Sequence, residues 1–128
     1  MRELILIGGG SFVGGVARYY LGALVSNVFL VGRFPLGTLV VNLIGCFLIG
    51  VVGELSDRYQ LISPLTRLVI VTGLLGGFTT FSAFGYETIS LMREGEFFLG
   101  ALNIVLSVFL GLLAVWFGMR LMGVLISS

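Results

Sequence analysis

Hydrogen-bonding side chains sit in stretches of this sequence that are otherwise strongly apolar. Thr38 and Asn42 lie in one such stretch, Thr79, Thr80 and Ser82 in a second, and Asn103 and Ser107 in a third. The first and last pairs are each spaced by four residues, which puts both members on one face of a helix. An amide or hydroxyl away from water must find a partner. Two chemistries supply one: a hydrogen bond between helices, or a small desolvated anion that accepts from several donors. Phe81 and Phe84 are three residues apart and share a helical face. Packing accounts for such a pair, yet the positive edge of a phenyl ring also suits an anion that has shed its water. Arg18 stands on a stripe with Gly10, Gly14 and Gly22 at intervals of four. An arginine in an apolar helix must face protein or water. It reads as an electropositive vestibule, or as an anchor that snorkels to headgroups or bonds helix-end carbonyls.

Little else in the chain offers reactive chemistry. There is no histidine and no lysine, so the usual neutral-pH acid–base group is missing. Cys46 is the one cysteine, which rules out an intrachain disulfide and suggests a small buried hydrophobe. Glu87 is the deepest carboxylate, and it falls near the end of its apolar stretch. Gly8-Gly9-Gly10 and Gly76-Gly77 lack the following Lys-Ser/Thr of a phosphate loop. No catalytic constellation emerges, and a net charge of +1 gives no reason to propose nucleic-acid binding.

The elements that must position these residues are membrane helices. The 128 residues are 58% hydrophobic and 10% charged, too few polar groups to cover a soluble surface. A hydrocarbon core of about 30 Å needs about 20 helical residues, and four spans fit, at about 4–26, 35–53, 64–92 and 97–126. The chain reads as a single four-helix membrane domain over 1–128, with its start a first span and not a removed leader. Ser63-Pro64 reads as a cap with proline at the first helical position. Phe34-Pro35 reads the same way, and Glu54, Asp57 and Arg58 read as an exit into water. The third span contains Gly73-Leu74-Leu75-Gly76-Gly77-Phe78-Thr79-Thr80-Phe81-Ser82-Ala83-Phe84-Gly85-Tyr86. Glycine weakens a helix interior and Thr or Ser competes for its backbone bonds. The stretch is either a glycine-softened packing helix or a break at membrane depth, and breaks of that kind form ion sites. The fourth span carries a stripe of Gly100, Asn103, Ser107, Gly111, Ala114 and Gly118, which permits close helix packing and offers a narrow polar track.

Four spans put both termini on one side. Arg2, Arg58, Arg67 and Arg120 lie towards that side, Arg33 and Arg93 towards the other, and Arg18 within the first span. So weak a bias need not fix one orientation. Insertion both ways would build an antiparallel homodimer.

Together these pieces resemble the Fluc-type fluoride channels, small four-helix membrane proteins that export fluoride from bacteria. Gly14-Gly15-Val16-Ala17-Arg18-Tyr19 is similar to the family's glycine–arginine–tyrosine segment. Pro35 to Gly45 is similar to its proline–glycine–threonine–leucine and asparagine motif. Gly76-Gly77-Phe78-Thr79-Thr80-Phe81-Ser82-Ala83-Phe84 resembles its phenylalanine-box motif. The resemblance implies an all-α, dual-topology antiparallel homodimer in the bacterial inner membrane, with its third helix broken near the middle. It implies passive, potential-driven fluoride export that confers fluoride resistance, and no enzyme activity. Asn42, Phe81 and Phe84 would line the pathway, joined by Thr38, Thr80, Ser82, Ser107 and Asn103, with Arg18 at the vestibule. The carbonyls of Gly76 and Thr79 would hold a structural sodium ion at the dimer interface, and no organic cofactor is implied. Asn103 stands where the family pattern carries a tyrosine, and Gly111 where some members carry a hydroxyl. The competing architecture is a small dual-topology, proton-coupled multidrug exporter. That mechanism wants a carboxylate within the first span, which has only Glu3 at its start. A structural bundle subunit without transport is a third reading.

Overall fold

The computed structural model describes residues 1–128. Four helices are long and apolar enough to cross a membrane: Arg2–Val28, Leu36–Arg58, Pro64–Arg93 and Phe97–Ser127. The protein is an all-helical, multi-pass membrane protein. Only 18 of the 128 residues are buried, so most of its apolar side chains need lipid or another protein around them.

The first span is α1 (Arg2–Val28). The second is α2 (Leu36–Gly53), continued by a wider π turn over Glu54–Arg58. Pro35 precedes α2 as its cap residue and is not its first helical residue. Glu54 does not exit into water as expected. The π turn folds it inward to 6% exposure, where its Oε1 accepts from Arg58 Nη1 at 2.9 Å.

The third span is built in pieces. Ser63 caps α3 (Pro64–Leu68) by accepting from the Thr66 N–H at 3.1 Å, with Pro64 at the first position. A π stretch follows over Val69–Leu75, then α4 (Gly76–Phe78), then α5 (Phe81–Arg93). Gly95, at φ 86°, closes the turn after α5. The fourth span is α6 (Phe97–Ser127), whose 31 residues rise about 46 Å, well beyond a hydrocarbon core of about 30 Å.

The glycines of the third span do not break it. Gly73, Gly76 and Gly77 are helical, and Gly73 and Gly77 serve close packing instead. A Cβ on Gly77 would strike the Ser11 backbone, one on Gly14 the Leu74 carbonyl, and one on Gly10 would lie 3.0 Å from the Leu74 nitrogen. Backbone thus rests on backbone where α1 crosses the π stretch and α4, the small-residue packing of membrane helices. Gly50 and Gly118 play the same part between α2 and α6, the most extensive helix pair in the protein. The π stretch brings an extra residue into the turn: the Gly76 N–H reaches the Val71 carbonyl, five residues back. The break itself falls at Thr79 and Thr80.

Candidate functional site

Two residues between α4 and α5 leave the helix. Thr79 has ψ 157°, and Thr80 has φ −151° and ψ 112°, both extended. The Thr79 N–H still reaches the Leu75 carbonyl at 2.9 Å, whereas the backbone groups of Thr80 are met from α2. The Thr80 N–H donates to Asn42 Oδ1 at 2.8 Å, and Asn42 Nδ2 donates to the Thr80 carbonyl at 3.0 Å. The amide side chain therefore pairs with Thr80 as a neighbouring strand would. Gly45, one turn on, leaves room for the Thr79 methyl, which a Cβ there would strike. The hydroxyls finish both helix ends: Thr79 Oγ1 donates to the Leu75 carbonyl at 2.9 Å, and Thr80 Oγ1 accepts from the Ala83 N–H at 3.1 Å.

This arrangement strands a set of carbonyls. With the Thr80 N–H turned to Asn42, the Gly76 carbonyl has lost its usual donor. No backbone bond crosses the break to the carbonyls of Gly76, Gly77, Phe78 or Thr79. Gly76 and Thr79 both line the main cavity. No cluster of His, Cys, Asp or Glu side chains offers a metal site elsewhere. Carbonyl oxygens suit a hard cation, so the expected sodium fits the donor set at this place.

The main cavity has a volume of about 360 Å³ and gathers Asn42 and Cys46 from α2, Thr80, Phe81 and Phe84 from the break and α5, and Ser107 from α6. The rings of Phe81 and Phe84 lie 5.5 Å apart and tilted by 47°. Phe81 is 83% exposed. A second cavity, about 330 Å³, brings Arg18 and Tyr19 of α1 together with Thr38 of α2 and Thr80. Thr80 borders both, so the clamped residue joins the cavity lined by Phe84 to the one lined by Arg18. Arg18 makes no ion pair with any carboxylate.

Other residues singled out from the sequence are placed differently. Thr38 Oγ1 donates to Glu87 Oε1 at 2.7 Å, and the other Glu87 oxygen is buried without a partner. Asn103 is 2% exposed and lines neither cavity. Its Nδ2 donates to Thr88 Oγ1 at 2.9 Å, and Thr88 Oγ1 donates to the Phe84 carbonyl at 2.7 Å. Ser107 Oγ reaches Asn103 Oδ1 at 3.5 Å. Asn103 thus ties α6 to the backbone that carries Phe84. Ser82 is exposed, with its hydroxyl 3.3 Å from that of Thr80. Sequence reasoning did not single out Thr88. Its position one helical turn after Phe84 was the available signal.

The family model described as "CrcB-like protein, Camphor Resistance (CrcB)" matches residues 5–119. A protein of Chlorobium phaeobacteroides (strain BS1), named "Fluoride-specific ion channel FluC", is 48% identical over 118 residues, covering 92% of this chain and 91% of that protein. A protein of the same name from Solibacter usitatus is 49% identical over 116 residues, covering 90% and 92%. Another from Rhizobium etli is 44% identical over 127 residues, covering 98% of this chain and the whole of that protein. The match runs through every helix that shapes the two cavities, and the chain belongs to the CrcB-like family.

Proposed function

We propose that the protein is a fluoride-specific ion channel that lets fluoride leave the cell down its electrochemical gradient and so confers fluoride resistance. The observation that carries this reading is the main cavity. There Asn42, Thr80, Phe81, Phe84 and Ser107 meet from three helices, in a chain whose relatives bear that name. Fluoride crosses lipid readily as the protonated acid and is trapped as the anion in a less acidic cytoplasm. A negative membrane potential then favours its exit by about 2.3 kcal/mol per charge per 100 mV.

In this reading Arg18 raises the local anion concentration in the second cavity, beside Thr38 and Thr80. Asn42 commits one N–H and its oxygen to Thr80, which leaves a second N–H for the ion. The ring edges of Phe81 and Phe84 and the Ser107 hydroxyl take over as water is lost. Ser82 acts through the Thr80 hydroxyl beside it, and Asn103 acts through Ser107 and Thr88. Larger halides receive fewer simultaneous donor contacts.

The same reading makes the working unit an antiparallel homodimer of dual topology in the bacterial plasma membrane. The exposed Phe81 ring and the small buried core support it, as does the weak arginine bias. Sodium would be held by the Gly76 and Thr79 carbonyls, where it supplies a fixed positive charge among oxygens that lack donors. A proton-coupled exporter is disfavoured because the first span holds no carboxylate beyond Glu3.

The test is ion efflux from liposomes holding this protein alone, with chloride as comparison. Fluoride efflux that carries current without a proton gradient is the expected result. Flux that requires a proton gradient, or no flux, would overturn the reading.

A further inference from the structure

At the end of the bundle that carries the termini, a third cavity of about 340 Å³ has no part in the proposed pathway and shares no lining residue with the other two. Glu54, Arg58, Trp116, Arg120, Gly123 and Ser127 border it. The π turn after α2 brings Arg58 here, and the last turns of α6 bring Arg120. Two guanidinium groups therefore converge on one pocket that holds a single carboxylate.

The pocket is held in place by its own contacts. Buried Glu54 fixes Arg58 through the 2.9 Å bond, leaving the remaining Arg58 donors open. Tyr59 lies under the Arg58 guanidinium, 5.5 Å from ring centroid to carbon, and its hydroxyl donates to the Gly123 carbonyl at 3.4 Å. Gly123 offers no side chain: a Cβ there would lie 3.8 Å from Glu54 Oε1 and 3.9 Å from Arg58 Nη1. Arg120 has no carboxylate partner and stacks over Trp116 at 5.5 Å. Stacking holds the guanidinium without consuming its N–H donors.

Depth in the bilayer identifies the ligand chemistry. Trp116 is 19 residues beyond Phe97, the start of α6, which is about 29 Å along the helix. That is about one hydrocarbon thickness. With the charged run Arg93, Glu94 and Glu96 marking the opposite boundary just before Phe97, Trp116 comes to the headgroup level, where tryptophan is enriched, and Arg120 one turn further out. We propose that this pocket binds the phosphodiester headgroup of an anionic phospholipid. Arg58 and Arg120 grip the phosphate oxygens in the bidentate manner of guanidinium groups, and the Trp116 ring meets the glycerol and upper acyl chains.

Trp116 is the only tryptophan in the chain, so its fluorescence reports on this pocket. The protein is reconstituted with phosphatidylglycerol or phosphatidylcholine brominated on the acyl chains, at fixed total surface charge, and quenching is titrated. Brominated phosphatidylglycerol is expected to quench at about a fivefold lower mole fraction, the share of Arg120, because Glu54 already offsets the charge of Arg58. Arg120→Gln should remove most of that preference. It leaves the Glu54–Arg58 pair intact, so the fold is not at issue, and retention of fluoride efflux confirms this independently. Equal quenching by the two lipids, or a preference that survives Arg120→Gln, would overturn the proposal. Reversal of the preference by millimolar inorganic phosphate would reassign the pocket to a soluble anion and overturn the lipid assignment.

Discussion

Asn42 and Thr80, 38 residues apart in the chain, are joined by two hydrogen bonds of 2.8 and 3.0 Å. One side chain thereby replaces two backbone partners that a continuous helix would have provided. The break exists because a neighbouring helix satisfies it, which is the condition under which irregular backbone survives at membrane depth.

Asn42→Leu removes both bonds and leaves an N–H and a carbonyl of Thr80 unpaired, at about 1–3 kcal/mol for each group. The variant is expected to melt earlier in detergent and to lose fluoride efflux by about tenfold or more. Asn42→Asp keeps an acceptor for the Thr80 N–H but loses the donor, and should fall between the two. An Asn42→Leu protein with native melting and native efflux would remove the clamp from the account.

The ring pair is the next element to perturb. Phe81→Ile and Phe84→Ile preserve apolar bulk and discard the aromatic edge. Fluoride efflux from liposomes should drop sharply while the elution position in size-exclusion chromatography stays that of the parent. Normal conduction by both variants would move the pathway elsewhere.

Glycine substitutions should separate by what the new methyl meets. In Gly14→Ala and Gly77→Ala it meets backbone of the facing helix, Leu74 and Ser11 respectively, and backbone cannot step aside. In Gly100→Ala it meets Met92 Cγ at 2.8 Å, the movable side chain of a flexible residue. Thermal melting in detergent should show large losses for the first two and a small one for the third. Equal losses would mean that the close approach of α1 to the third span is not what these glycines permit.

Asn103 and Thr88 form the tie between α6 and α5. Asn103→Leu should cost about 0.6–1.7 kcal/mol, the range of hydrogen bonds between membrane helices. A moderate fall in efflux should follow through loosened placement of Phe84, with fluoride still preferred over chloride. Thr88→Val should reproduce it. Collapse of the preference in Asn103→Leu would show that Asn103 meets the ion directly.

Much of the helical plan is legible in the sequence, because apolar runs long enough to span a bilayer announce themselves and Ser63-Pro64 is a local signal. The place of the break is less so. Gly73 and Gly77 weaken a helix intrinsically, but both pack against α1, and that partner lies more than 60 residues upstream. The extended pair, Thr79 and Thr80, depends on Asn42 in the same way. Periodicity tells which face Asn42 or Asn103 occupies; it does not tell which helix stands opposite. Glu54 was misread for a related reason. A charged residue after an apolar run usually marks water, and only the π turn that returns Arg58 to it reveals otherwise.

An unbroken helix over Pro64–Arg93 would carry one dipole with its ends at the two membrane surfaces. Interrupting it at Thr79 and Thr80 yields two dipoles in line. The negative pole of the first and the positive pole of the second, each equivalent to about half an elementary charge, now face each other inside the bundle. The main cavity touches both poles, and no Asp, Glu, Lys or Arg lines it. The two poles thus contribute to the field in its wall a part that no proton can add or remove.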